Sequence, residues 1–388
     1  MPAKPPKPRR RAVSEQRREH ITAARRLLVK VGSNALTDSR GALDPSRLEA
    51  LVDALAAVRA RGQDVVLVSS GAMASGMEPL KLKHRPQDLA SKQAAASVGQ
   101  SLLVAQYGRN FARHGLTVGQ VLLTVEDVAR KDHYRNALRT FTRLLELGVV
   151  PIVNENDTVA THEIRFGDND RLAALVAHLV GADVMVLLSD VDALYTAPPG
   201  RPGSQKVELV ADIDELDVDT NGGGAAIGTG GMETKLHAAR IATASGIPVV
   251  LGAAEAAAEL LSGAPAGTLF LPTGKRRARK LMWLAYASVT QGELVLDAGA
   301  VRAVTERQAS LLPAGILEVR GDFGVGDPVK LISEGGQVVA RGLVNFDSEE
   351  LPAMIGRTTH ELAENLGEHF DREVVHRDDL IVKRRKKT

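Results

Sequence analysis

The chain contains no cysteine. That excludes a disulfide framework, a thiolate metal site and a cysteine nucleophile, and nothing demands an oxidising compartment. Aromatic residues make up only 3% of the sequence, too few for a platform that stacks single-stranded bases on exposed rings. No uninterrupted apolar run approaches the roughly 20 residues that a bilayer-spanning helix needs, and no apolar signal segment precedes the first strand. A soluble, cytoplasmic chain without a membrane partner is therefore expected. The common catalytic signatures are missing as well: there is no GxxxxGKS/T loop, no GxGxxG after a strand, no HExxH and no GxSxG turn. Nor is any repeat of fixed period visible.

What is present is 388 residues with globular composition, 44% hydrophobic and 25% charged, enough for two or three domains. The net charge of +2 is unevenly spread. Residues 1–25 hold eight Lys/Arg against Glu15 and Glu19, net +6, and residues 383–388 hold five Lys/Arg and no acid, net +5. Subtracting both from +2 leaves −9 for residues 26–382. An acidic body with basic ends describes solvated tails rather than a nucleic-acid-binding face. The Pro- and Arg-rich segment 1–25 is accordingly expected to be a disordered basic tail.

From Arg26 the sequence alternates apolar strands, expected at 27–31, 64–69, 117–122, 149–153, 183–188 and 248–251, with helices at 45–61, 88–113, 133–146, 169–180 and 233–245. Asp44 before Pro45 is an N-cap with proline in the first turn, and Gly62, Gly115, Gly148, Gly181 and Gly246 stand where helices should end. The prediction is an α/β domain over 26–274, an open, mostly parallel sheet sandwiched by helices. The cluster Lys275, Arg276, Arg277, Arg279 and Lys280 marks a basic linker, 275–289. A small β-rich domain of short runs separated by Gly, Asp and Pro follows over 290–372, and 373–388 is a C-terminal tail.

Candidate chemistry lies in loops at the carboxyl ends of the strands, where an open parallel sheet forms its ligand crevice. Lys30 ends the first strand and is followed by Gly32 and Ser33, which permit close approach of an anion; a lysine snorkelling to solvent would read the same way. Ser69-Ser70-Gly71-Ala72 runs from strand into helix, as an anion site or as an ordinary cap. Asn154-Glu155-Asn156-Asp157 follows the fourth strand, and Gly167-Asp168-Asn169-Asp170 opens a helix, as caps or as groups that bind an ammonium or organise a metal–phosphate cluster. Ser189-Asp190 follows the most apolar strand. A glycine-dense stretch, Asn221–Gly224 and Gly228–Gly231, enters a helix carrying Lys235, so that amides, helix dipole and ammonium would all favour phosphate. Two lysines, glycine loops and a group of acids without a nucleophile suit phosphoryl transfer by positioning and charge neutralisation.

These stretches, together with Ala90-Ser91-Lys92-Gln93 and Val98-Gly99-Gln100, stand in the order found in the amino acid kinase family, which residues 26–272 resemble. In detail they are similar to the members that phosphorylate the γ-carboxylate of L-glutamate with ATP, the first step of proline synthesis. Residues 290–370 resemble a PUA domain, most visibly at Gly321-Asp322-Phe323 and Gly326-Asp327-Pro328-Val329.

The resemblance implies that Lys30 and Lys235 bracket the transferring phosphoryl group, with Asp170 organising the pair and Asp168 a weaker candidate for the same task. Gly32 and Ser33 would donate amides. Ser70, Asp157 and Asn169 would hold glutamate, with Asp157 at its ammonium. Ser189, Asp190 and the stretch Thr229, Gly230, Gly231, Met232, Glu233, Thr234 and Lys235 would face ATP. Mg2+ would bridge the phosphates, with no acid identifying itself as its ligand. The resemblance also implies a homodimer or homotetramer and feedback inhibition by proline. Three features depart from the family pattern: Asn34 stands where a small hydroxyl residue is common, Ala193 follows Asp192 where glycine is usual, and Glu233 puts an acid in the phosphate loop. Two alternatives stay open. One is a different acceptor, such as acetylglutamate, aspartate or a nucleotide. The other is an RNA-binding protein acting through the PUA domain, disfavoured because residues 290–382 hold eight Lys/Arg against 17 Asp/Glu, net −9.

Overall fold

Strands of Val, Leu and Ile that are buried on both faces need helices on both sides, and that requirement shapes the larger part of the molecule. The computed structural model describes residues 19–159, 169–199, 201–216, 218, 231–273, 284 and 290–382. The chain divides into two compact units, with the division after Arg277.

The first unit is built on β1 (Arg26–Val31), β2 (Asp64–Ser69), β3 (Val118–Leu123), β4 (Val150–Glu155), β5 (Val184–Ser189), a small hairpin of β6 (Leu194–Tyr195) and β7 (Lys206–Val207), then β8 (Leu209–Val210), β9 (Val249–Ala253) and β10 (Thr268–Phe270). Eight of them form one sheet in the order β3-β4-β2-β1-β5-β9-β10-β8. Every neighbouring pair is parallel except β9 with β10. The two short strands β8 and β10 carry too few residues to announce themselves by periodicity. β1 lies at the centre, with Val31 in register with Ser69 on one side and Leu188 on the other. The carboxyl ends of β1, β2, β4 and β5 therefore meet along one edge of the sheet.

Two glycines set how tightly the helices above that edge pack. The helix Ala72–Met77, which begins just after Ser70, crosses the helix Leu89–Ala112 with backbones in contact. A Cβ built on Gly76 would lie 1.9 Å from the Ala95 carbonyl oxygen, and one on Gly99 would lie 1.7 Å from that of Ala72. Only glycine fits at this crossing, and Gln100 follows Gly99 on the longer helix. Gly71, at φ +108°, makes the left-handed turn between β2 and the first of these helices.

The second unit is a five-stranded sheet, β12 (Ile316–Gly321), β11 (Gly292–Leu296), β13 (Pro328–Ser333), β14 (Val338–Leu343) and β15 (Leu380–Val382), in that spatial order. Its core includes Leu294, Val329, Leu331, Phe346 and Val375. Gly321 takes φ +94°, and a Cβ there would lie 2.6 Å from the Gln291 carbonyl oxygen.

Part of each expected tail belongs to a folded unit. Ile21 and Ala24 are buried in the core of the first unit, and Gln63 Nε2 donates to both their carbonyls at 2.9 and 2.6 Å. At the other end, Val374 and Val375 are buried and β15 pairs with β14, so residues 373–382 belong to the second unit's sheet and core. The apolar pairs in those segments outweigh the charges around them. The basic cluster of the 275–289 linker lies outside the described residues.

Candidate functional site

A cavity of about 420 Å³ opens at the carboxyl edge of the first sheet. Its lining includes Lys30, Gly32, Ser33, Ser70, Asn154, Asp157, Asn169, Ser189, Asp190 and Lys235.

Lys30 leaves β1 beside Asp170, the second residue of the helix Asn169–Val180, and Lys235 reaches the same carboxylate from the first turns of the helix Met232–Ala244. Lys30 Nζ lies 2.5 Å from Asp170 Oδ1, and Lys235 Nζ lies 3.6 Å from Asp170 Oδ2. Thr234 Oγ1 donates to Oδ2 at 2.7 Å. All three charged groups are buried. Burial raises the Asp170 pKa, but the two lysine charges and the hydrogen bonds outweigh it, so that the carboxyl titrates down at about 2. Burial lowers the Lys235 pKa, opposed by the Asp170 charge. Two ammoniums share one carboxylate, leaving a net positive spot for a further anion.

Asn169, the residue before Asp170, belongs to a chain of amides. Asn169 Nδ2 donates to Ser70 Oγ at 2.9 Å and to Asn154 Oδ1 at 3.0 Å. Asn154 Oδ1 also accepts from the Glu155 backbone N–H at 2.9 Å, while Asn154 Nδ2 donates to Gln100 Oε1 at 2.6 Å. Asn154 and Glu155 were expected in a loop but extend β4, because β3 pairs with it as far as Leu123 opposite Glu155. Asp157 follows in a turn. Its carboxyl is pushed up to about 7 by burial and by the neighbouring Glu155 charge.

The remaining expectations divide. The Gly32 N–H, expected to meet phosphate, donates to the Leu188 carbonyl at 3.2 Å and completes the sheet. What Gly32 contributes is clearance: a Cβ there would lie 3.7 Å from Lys30 Nζ. Ser33 opens the one-turn helix Ser33–Leu36 at the cavity wall. Asn34 Nδ2 donates to Asp190 Oδ2 at 3.1 Å and Ser189 Oγ to Asp190 Oδ1 at 2.8 Å. Burial raises the Asp190 pKa, but these bonds outweigh it and hold the carboxyl below its usual range. Gly231 is the N-cap of the Lys235 helix, Met232 its first residue, and Glu233 is exposed in its first turn, where an acid suits the helix dipole. Thr229, Gly230 and Asp168 lie outside the described residues.

The cavity also takes in Thr37, Arg40, Met73, Met77, Lys83, His84 and Arg85, which the motif reading passed over. The signal available for the last three was the run of basic residues between two helices. Among the described residues no group of three or more His, Asp or Glu side chains could hold a metal ion, and Asp170 is already taken by two lysines. The two buried lysines on that carboxylate fit an anion.

Residues 25–252 match the model of the amino acid kinase family and residues 292–366 that of the PUA domain. The chain is 60% identical over 367 residues to the glutamate 5-kinase of Streptomyces coelicolor, covering 94% of this chain and 98% of that one. It is 58% identical over 369 residues to that of Streptomyces avermitilis, with 94% and 98% covered. It is 59% identical over 367 residues to that of Salinispora arenicola, with 94% and 100% covered.

Proposed function

The chain belongs to the amino acid kinase family, and from that premise we propose that it works as a glutamate 5-kinase, transferring the γ-phosphoryl group of ATP to the γ-carboxylate of L-glutamate as the first step of proline biosynthesis. The observation that carries this reading is the cavity itself. Lys30 and Lys235, which share Asp170, line it together with Ser70, Asp157 and Asn169.

The acceptor needs no general base, because a side-chain carboxylate with a pKa near 4.3 is ionised at neutral pH. One of its oxygens attacks the γ-phosphorus, the bond from that phosphorus to the β,γ-bridging oxygen breaks, and ADP leaves with the electron pair. Lys30 and Lys235 neutralise the negative charge spread over the transferring group. Asp170 keeps both ammoniums charged and aimed. Asp157 takes the substrate ammonium, and Ser70 and Asn169 hydrogen-bond to the polar groups of glutamate. Ser189, Asp190 and residues 229–235 serve the nucleotide. Magnesium enters as an ion bound to the ATP phosphates and belongs to the co-substrate. Proline carries an α-carboxylate and an α-ammonium, secondary where that of glutamate is primary, so it competes for the same residues as a feedback inhibitor. A cytoplasmic homo-oligomer completes the proposal.

The test is ADP release from magnesium–ATP with glutamate, aspartate, acetylglutamate and UMP offered separately, and Lys235→Ala as the blank. Turnover with glutamate alone, lost in the variant and suppressed by proline, is the expected result. Turnover with another acceptor would reassign Ser70, Asp157 and Asn169.

A further inference from the structure

Gln100 is buried on the helix Leu89–Ala112 and does not line the cavity, yet its side chain begins the amide relay that ends on a cavity-lining residue. Gln100 Oε1 accepts from Asn154 Nδ2 at 2.6 Å, Asn154 Oδ1 accepts from Asn169 Nδ2 at 3.0 Å, and the second N–H of Asn169 goes to Ser70 Oγ at 2.9 Å. An amide has two donors and one acceptor oxygen, so each link dictates the orientation of the next. With both N–H groups of Asn169 committed, Oδ1 is its remaining polar atom, and it is buried with no partner among the described residues. A buried acceptor without a partner is costly unless a ligand supplies the donor. At the other end Gln100 Nε2 also lacks a partner among the described residues. The contribution of Gln100 to the relay is thus its acceptor oxygen alone.

We propose that Gln100 is a positioning residue for substrate recognition: by anchoring Asn154 it holds the Asn169 amide so that Oδ1 receives a hydrogen bond from the ammonium of glutamate, beside the charge of Asp157. Without the Gln100 acceptor, Asn154 Nδ2 is left buried and unpaired. The side chain then turns to find a partner, and Asn169 loses one of the two bonds that fix its orientation. Recognition of the ammonium weakens while the phosphoryl-transfer lysines, held by Asp170, stay in place.

The inference rests on glutamate as the acceptor, so the experiment starts with the wild-type enzyme. Three quantities are measured on wild type, Gln100→Met and Gln100→Glu: the KM for glutamate, the KM for ATP, and the inhibition constant of glutarate, which keeps both carboxylates and lacks the ammonium. Gln100→Met keeps length and loses the acceptor. It is expected to raise the glutamate KM about tenfold, leave the ATP KM within about twofold, and cut the preference for glutamate over glutarate by about tenfold. Gln100→Glu keeps an acceptor oxygen and exchanges the unused NH2 for a second carboxyl oxygen, whose ionisation burial disfavours, and it should hold that preference within about threefold of wild type. A Met variant with unchanged glutamate KM and preference would overturn the proposal. So would Met and Glu variants impaired alike, or glutamate and ATP KM values rising together as general damage would make them. If wild type fails to use glutamate while phosphorylating another acceptor, the reading beneath the proposal is what fails, and the proposal falls with it.

Discussion

The ammonium of Lys30 lies 2.5 Å from the Oδ1 atom of Asp170, with both side chains buried. A buried pair of this kind is worth little compared with an apolar pair, but breaking it is expensive because the partner charge stays behind. Here two partners stay behind, since Lys235 uses the other oxygen. Asp170→Asn is therefore expected to lower stability by about 3 kcal/mol at pH 7 and to cut kcat by about 100-fold or more through misdirected lysines. The pH dependence has a definite sign. Asp170 titrates at about 2 in the fold against 3.8 ordinarily, so its contribution is complete above about pH 4 and is lost as pH falls toward 2. Urea titrations of wild type and variant should diverge fully at pH 7 and converge toward pH 2.

Asp157 carries the opposite perturbation, with its carboxyl pushed up from 3.8 to about 7. An acid whose pKa is raised on folding costs nothing below its ordinary pKa, and its penalty grows as pH climbs from about 4 to 7. Asp157→Asn should consequently stabilise the protein by about 1 kcal/mol at pH 8, after allowance for its partial exposure, with the gain fading at pH 5. The same substitution should raise the glutamate KM by about 30-fold, the worth of a hydrogen bond to a charged partner. In wild type, the glutamate KM should fall between pH 6 and 8 as Asp157 ionises. Thermal melts and initial rates at the two pH values check both halves, and a variant less stable at pH 8 would mean that Asp157 is paired in the fold and not waiting for a cation.

Gly99→Ala tests the helix crossing that supports the site. The added Cβ would lie 1.7 Å from the Ala72 carbonyl oxygen, so backbone must move. A loss of about 3 kcal/mol is expected, at the upper end of overpacking costs because the obstacle is main chain. Because the shifted helices carry Gln100 and the segment after Ser70, the residual folded enzyme should also bind glutamate more weakly than ATP. Denaturant melts and the two KM values would show it, and an unperturbed Tm would contradict the packing described here.

How much of this was readable beforehand depended on range in the chain. Lys30, Ser70, Asn169, Ser189 and Lys235 all sit where a strand ends or a helix starts, and local patterning finds such places. Strands buried on both faces announced the parallel sheet for the same reason. The relay from Gln100 to Asn154 spans 54 positions, and a polar residue on a helix gives no sign of which distant amide it meets. The neighbours of Gly32 suggest an anion loop, whereas its N–H completes the sheet against Leu188, a partner 156 positions away that no local pattern names. Residues 373–382 were read as a tail because charge around them masked Val374, Val375 and Leu380, whose burial depends on β14 and the second unit's core.

The last prediction concerns the two lysines as a unit. Lys30→Met and Lys235→Met each remove one positive charge from a buried site in which Asp170 keeps a counter-ion, so each single variant should remain folded. Each removes a charge that matters most when the transferring phosphoryl group is most negative, and each should lower kcat by about 10³-fold. Independent lysines would make the double variant about 10⁶-fold slower, but groups that act together lose most of their effect with the first removal. Because both ammoniums are aimed by one carboxylate, the double variant is expected to be at most about tenfold slower than the worse single one. Steady-state kcat values with both substrates saturating decide between the two. Full additivity would mean that Lys30 and Lys235 stabilise separate charges, and Asp170 would then be a packing partner of each rather than the organiser of a pair.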